Sequence, residues 1–296
     1  MKTILGLGNA TMDYLQVIET FPRPNTKSQS KHAELQGGGS AMNALVMLAR
    51  LGNTCLAYSA VGADPIGEMI VKELNAYEVQ TNFIQTISQV PSSLSSILVT
   101  ASGQRTIIGN YQLEGRLFSG NIDAIPWSTI DLIHLDGHHI NAALILGQAA
   151  QKKKVLVSLD GGHCTPGIEK LLPYIDILIT SAEFPGKLRI QSLSAFKKLA
   201  PKAKVIISTE GEKGVKLLMP DATLRSFPAF PCKVTDTTGA GDVFHGAFLH
   251  HYLHNGNVED AILFGQAAAC LKLQHLGARK GMPTEQMIRA FLRQKN

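Results

Sequence analysis

The chain reads as an α/β protein built on a mainly parallel sheet covered by helices, with a smaller β-sheet set apart from it. Three observations predict this. Short apolar runs alternate with longer helical patterns over most of the length. Glycine-rich turns separate several of these runs, at Gly6–Gly8, Gly37–Gly39 and Gly62–Gly67. Two stretches, about 14–36 and 94–112, depart from the alternation.

Taken in order, residues 3–7 read as a buried strand ending in Gly6 and Gly8. From 14 to about 36 the pattern turns polar and irregular around Pro22 and Pro24. Gly37-Gly38-Gly39 opens a helix over 41–51, stopped by Gly52. A strand at 55–61 leads through the 62–67 loop to a helix at 68–77. Strands at 95–100 and 106–108, joined by a Ser102-Gly103 turn, combine with part of 14–36 into the small sheet. After Asp123 the alternation resumes: strands at 132–135, 155–159, 175–180 and 205–208, a helix at 142–150, and two long C-terminal helices. No repeat, low-complexity tract or long linker interrupts the chain, so 1–296 is expected to be a single domain.

At 296 residues the chain can bury a large core, and 45% hydrophobic with 17% charged residues is a globular composition. The net charge of +5 is mild and scattered, apart from Lys152–Lys154, which read as a solvated helix end. No basic stripe with interleaved aromatics appears, so no nucleic-acid partner is expected. A slight positive balance suits a phosphorylated substrate. The four cysteines, Cys55, Cys164, Cys232 and Cys270, form no Cys-x-x-Cys pair, which argues against a zinc ribbon or disulfide framework. Residues 1–7 are too short for a signal peptide, and no apolar run is long enough to span a membrane. A cytoplasmic protein with no membrane partner is expected.

The chemistry concentrates at 235–246, Thr-Asp-Thr-Thr-Gly-Ala-Gly-Asp-Val-Phe-His-Gly. Gly239, Ala240 and Gly241 turn the chain into an apolar helix running through 243–253. Amides at such a helix start have no partner within the helix and carry the positive end of its dipole. Small side chains let a phosphate approach them. Asp242, in the first turn, is placed to accept a proton from a hydroxyl beside that phosphate. Phosphoryl transfer needs mainly positioning and charge stabilisation, and both are present. Read blandly, Asp242 caps a helix and the glycines make a turn.

Two other nucleotide devices are incomplete. Gly6-x-Gly8 follows a strand, but Thr11 stands where a dinucleotide fingerprint has its third glycine. Gly186-Lys187 precedes Leu188, so no Walker loop is present. Histidines gather at 138–139 and at 245, 250, 251 and 254. His250 and His254 have metal-ligand spacing on one helix face but no third ligand in view, and surface or packing roles are expected for this group.

The 236–242 string resembles the C-terminal signature of the PfkB (ribokinase-like) carbohydrate kinases, Asp-Thr-x-Gly-Ala-Gly-Asp. The resemblance runs nearly end to end. It implies a three-layer α/β/α fold with a small β lid formed by segments 14–36 and 94–112, which excludes water from the reactive phosphate. It makes Asp242 the catalytic base and the amides of Gly239, Ala240 and Gly241 the anion hole. Gly38-Gly39-Ser40-Ala41-Met42-Asn43 resembles the N-terminal signature, so Gly38, Gly39 and Asn43 inherit sugar binding, with Asp13 gripping a vicinal diol. Thr209-x-Gly211-x-x-Gly214 resembles the nucleotide loop, and Gln266 and Ala269 align with the adenine pocket. Glu183 matches the Glu of the Asn-x-x-Glu magnesium motif, which orders the metal through water; Thr180 replaces the Asn. Asp236 and Thr238 occupy positions that in some relatives sit near a monovalent cation such as K⁺. Dimerisation through the lid is common among relatives.

The resemblance therefore implies an ATP- and Mg²⁺-dependent kinase acting on a primary hydroxyl of a ketose or pentose. The 236–247 stretch and Gly277-x-x-x-Gly281-Met282-Pro283 look most like sulfofructose kinase and ketohexokinase- or fructokinase-like sugar kinases. Arg105 and Asn110 are lid-side groups placed to meet the sugar. A sulfonate pocket should present an arginine near the end of the 132–138 strand, where this chain has Asp136-Gly137-His138-His139. A nucleoside kinase and a catalytically idle sugar- or nucleotide-binding regulator on the same fold remain alternatives.

Overall fold

The structure, a computed structural model, describes residues 1–100 and 105–295, so the expected Ser102-Gly103 turn lies outside the described residues. The chain begins β1 (Thr3–Leu7), β2 (Thr11–Ile18), β3 (His32–Gly38), α1 (Ser40–Arg50), β4 (Thr54–Gly62), α2 (Pro65–Ala76) and β5 (Val79–Ile87). Strands β6 (Ser93–Thr100), β7 (Arg105–Asn110) and β8 (Leu132–Leu135) lead to α3 (Ile140–Lys153), β9 (Leu156–Gly161) and β10 (Ile177–Ser181). The short helices α4 (Phe184–Lys187) and α5 (Phe196–Leu199) precede β11 (Val205–Thr209), β12 (Val215–Leu218) and β13 (Leu224–Phe227). Three helices close the chain: α6 (Ala240–Asn255), α7 (Val258–Lys272) and α8 (Glu285–Lys295).

The large sheet has nine strands in the order β13-β12-β11-β10-β9-β8-β1-β4-β5. It is parallel from β11 to β5, and β12 and β13 add an antiparallel edge. The two-residue alternation of side chains divides each strand between two cores. Ile4, Ala57, Leu132, Ile179 and Ile207 pack with α1, α6 and α7 on one face. Leu5, Leu7, Tyr58, Ile133, Leu159 and Leu178 pack with α3 and the α4–α5 region on the other. Both faces are apolar, as a parallel sheet covered on both sides requires.

The stretch expected to be irregular from 14 to 36 contains β2 and most of β3, which join β6 and β7 in a four-stranded sheet ordered β3-β2-β6-β7. Its alternation is visible only once the pairing is known. Asp13, Ser95, Ile97 and Ile107 face inward, toward the large domain. Tyr14, Leu35, Leu94 and Ile108 face outward and are exposed. Six elements escape the sequence reading: β5, the short helices α4 and α5, the antiparallel β12 and β13, and α8.

Candidate active site

Five neighbouring parallel strands, β1, β8, β9, β10 and β11, end on the same side of the large sheet, where helices start and loops converge. This is where open α/β sheets place their binding crevices. Asn9, His138, Gly162, Glu183 and Thr209 stand at or just beyond those ends and line a cavity of about 530 Å³. The inner face of the small sheet roofs it with Asp13, Ser95, Ile97, Arg105 and Ile107. Its floor is the start of α6, with Thr237, Thr238, Gly239, Gly241 and Asp242.

Gly239 caps α6 in the left-handed region, at φ 74°, a conformation glycine adopts without cost. A side chain on Gly241 would meet nothing within 4 Å, so the chain here is open to the cavity. The Ala240 amide already donates to the Thr237 carbonyl at 3.3 Å and does not line the cavity. The exposed donors of the expected anion hole are thus centred on Gly239 and Gly241.

Asp242 is held by a chain of hydrogen bonds from residues distant in the sequence. Asn43 Nδ2 donates to Asp242 Oδ2 at 2.7 Å. Arg279 Nε donates to Asn43 Oδ1 at 2.9 Å, and Arg279 Nη2 to the Gly38 carbonyl at 3.0 Å. Glu73 lies 3.5 Å from the guanidinium and supplies its countercharge. Both ends of Asn43 and the Gly38 carbonyl are therefore occupied from within the chain, and Gly38 does not line the cavity. The glycine turn has its own reason here: Gly39 has φ 90°, and a Cβ there would overlap the Asn9 carbonyl oxygen.

Burial, with the nearby Asp160 charge, raises the Asp242 carboxyl to about 6, against the Asn43 hydrogen bond and the His245 and Arg105 charges. Across the cavity Asp13 is raised to about 6, mainly by burial, although Thr11 Oγ1 donates to it at 2.9 Å and Arg279 pulls it down. Asp160 is pushed up to about 7 by burial and the Asp136 charge. Burial would lower His138, but Asp136 and the 2.7 Å bond to Glu114 hold it at about 9.

Ten of the expected site residues meet at this cavity: Asp13, Gly39, Asn43, Arg105, Glu183, Thr209, Thr238, Gly239, Gly241 and Asp242. Arg105 Nη1 donates to Thr237 Oγ1 at 2.8 Å, tying lid to floor. Asn110, Gly211, Gly214 and Ala269 do not line it. The Asn110 side chain turns back to accept from the Gln112 amide at 3.3 Å. Gln266 is buried behind the wall, its Nε2 donating to the Phe227 and Pro228 carbonyls at 3.1 and 3.2 Å. Thr180 Oγ1 donates to the Ile207 carbonyl inside the sheet, so its hydroxyl is spent away from the cavity. Glu183, the expected magnesium residue, is well exposed at the rim and pairs with Lys187 at 3.6 Å.

The sequence reading missed several wall residues. His138 and His245, expected on the surface or in packing, line the cavity, as does His163, for which the sequence carried no expectation. His138 and His163 stack at 4.5 Å between ring centroids, and Tyr111 stacks on His138 at 6.3 Å. His245 Nε2 lies 3.4 Å from Asp160. Arg279 sits inside the 277–283 segment that the resemblance singles out, but no local pattern points it at Asn43. Among the described residues no group of three metal-ligating side chains forms.

Asp236 and Thr238, the residues expected to hold a monovalent cation, are bonded to one another and to the end of α7. Asp236 Oδ1 accepts from the Thr238 amide and hydroxyl at 2.9 and 2.8 Å, and Oδ2 accepts from the Gly277 amide at 2.8 Å. The Asp236 carbonyl accepts from Lys272 Nζ at 3.0 Å. Lys272 Nζ thus sits on a backbone oxygen of the segment expected to hold a monovalent cation.

The family model of the pfkB carbohydrate kinases matches residues 1–285. The chain belongs to the pfkB family of carbohydrate kinases. It is a carbohydrate kinase in class. The chain is similar to the ribokinase of Haemophilus influenzae, 28% identical across 98% of both chains. It is 24% identical to mouse ketohexokinase over 89% of this chain and 93% of that one. Among solved structures, Arabidopsis thaliana ribokinase complexed with ribose and ATP superposes with a TM-score of 0.84 at 24% identity, covering 99% of each chain. No helix among the described residues is long and apolar enough to cross a membrane.

Proposed function

We propose that this kinase transfers the γ-phosphoryl group of ATP to a primary hydroxyl of a pentose or ketose, ribose being the first acceptor to test. The observation that carries the reading is Asp242 at the cavity floor. It is oriented by Asn43 and half-buried, and it sits one residue beyond the open Gly241 backbone. Asp242 takes the hydroxyl proton as that oxygen attacks the phosphorus in line. The exposed amides at Gly239 and Gly241, with Arg105 above, stabilise the charge on the transferred group. Asp13, in the roof, accepts two hydroxyls of the sugar. Thr209, with Gly211 and Gly214 in the loop behind it, lies on the nucleotide side, and Glu183 would hold Mg²⁺ through water. The metal neutralises the triphosphate charge when bound.

The segment closing β8, Asp136-Gly137-His138-His139, carries no arginine, which weighs toward an uncharged sugar rather than a sulfonate, although Arg105 lines the same cavity. A nucleoside acceptor is the second reading, favoured by one feature: the stacked rings of Tyr111, His138 and His163 offer flat faces along one wall.

The test is ADP release with Mg·ATP across ribose, fructose, tagatose, sulfofructose, adenosine and inosine. Asp242→Asn should fold and bind ATP while losing about 10²–10⁴-fold in kcat, as removal of a general base does. Near-wild-type turnover in that variant would reject Asp242 as the base. ATP binding without turnover on any acceptor would favour the regulator.

A further inference from the structure

Lys272, the last residue of α7, has a fully buried side chain. Its Nζ donates to the Asp236 carbonyl; burial pulls its pKa down to about 8, while the Asp236 and Asp242 charges favour the ammonium. A buried ammonium is costly unless carboxylates and hydrogen bonds compensate it. The backbone around it is equally committed. The Thr235 and Asp236 amides donate to the Leu273 carbonyl at 2.7 and 3.3 Å, and the His275 amide donates to the Lys272 carbonyl at 3.0 Å. With Gly277 bonded to Asp236 Oδ2, the end of α7 and the 235–238 segment form one unit directly behind the glycine turn of α6.

An ammonium and a potassium ion are similar in size, and both are recognised by oxygen lone pairs. We propose that the Lys272 ammonium is a built-in cation standing where the family resemblance places a monovalent ion, so that this kinase neither binds nor responds to K⁺. The fixed charge sits behind the amides that face the cavity and holds the Asp236 unit that shapes their turn. The inference concerns the cation alone and does not depend on which acceptor is phosphorylated.

The experiment compares thermal midpoint and ADP release for the wild-type protein in KCl, NaCl and choline chloride at matched ionic strength. The expected result is the same midpoint in all three and turnover equal within about a factor of two. A midpoint or turnover that rises specifically with K⁺ overturns the proposal. Lys272→Met keeps the aliphatic stem and vacates the ammonium position. It should lower the midpoint and cost about tenfold or more in kcat in choline. K⁺ or NH₄⁺, but not choline, should restore part of both. A variant that keeps wild-type behaviour in choline, or that no cation restores, overturns the assignment. If Lys272→Met does not fold, the wild-type midpoint series decides the question without it.

Discussion

At the scale of single residues, two carboxylates facing one cavity set the pH behaviour. As the proposed base, Asp242 would act only when ionised, and its carboxyl is raised to about 6, so kcat/KM should fall about tenfold per pH unit below that value. A profile flat between pH 5 and 7 would contradict the assignment. Asp13 titrates in the same range, so the limb should persist in Asp13→Asn, with KM for the sugar raised. Linkage gives Asp13 a second signature. Its pKa is higher folded than unfolded, so its contribution to stability is fully present below about pH 4 and is lost as pH rises through about 6. Above that range the ionised, buried carboxylate costs stability. Asp13→Asn should therefore be more stable at pH 7, by about 1–3 kcal/mol, in chemical or thermal denaturation. A less stable variant would refute this. Arg279 acts through Asn43: Arg279→Met should lower kcat by about tenfold or more while leaving the KM for ATP nearly unchanged, because it frees the amide that orients Asp242.

At the scale of elements, the site depends on how two helices begin. α1 starts at a glycine with positive φ pressed against the Asn9 carbonyl, and this close approach puts Asn43, in the first turn, beside the start of α6. Gly39→Ala should cost at least about 2 kcal/mol from backbone strain and overlap, with kcat lowered along with the thermal midpoint. An unchanged midpoint would show that α1 starts from another conformation. α6 was legible from its sequence because Gly-Ala-Gly-Asp and the apolar run after it are local signals. The strands of the small sheet were less so. β2 and β3 present the alternating pattern of a two-faced sheet, but the polar, proline-containing connection between them masks it.

At the scale of the whole molecule, the small sheet divides its residues between two tasks. Its inner face closes the cavity, and its outer face leaves Tyr14, Leu35, Leu94 and Ile108 exposed. That apolar face is where the expected lid-to-lid dimer would form. A Tyr14→Asp/Ile108→Asp variant should run as a monomer in light scattering where the wild type runs as a dimer, and a monomeric wild type would remove the expectation. The sequence by itself determined the α/β class, the glycine turn at 239–241 that opens α6, Asp242 as the candidate base and the glycines that open α1, because each rests on neighbours a few residues apart. Tertiary structure alone decided that Asn43 and Arg279 orient Asp242, that His138, His163, His245 and Asp160 wall the cavity, and that Lys272 lies against Asp236. Those groups come from strand ends and helices distant in the chain. Their pairing, burial and shifted protonation exist only once the parallel sheet has gathered them at one edge.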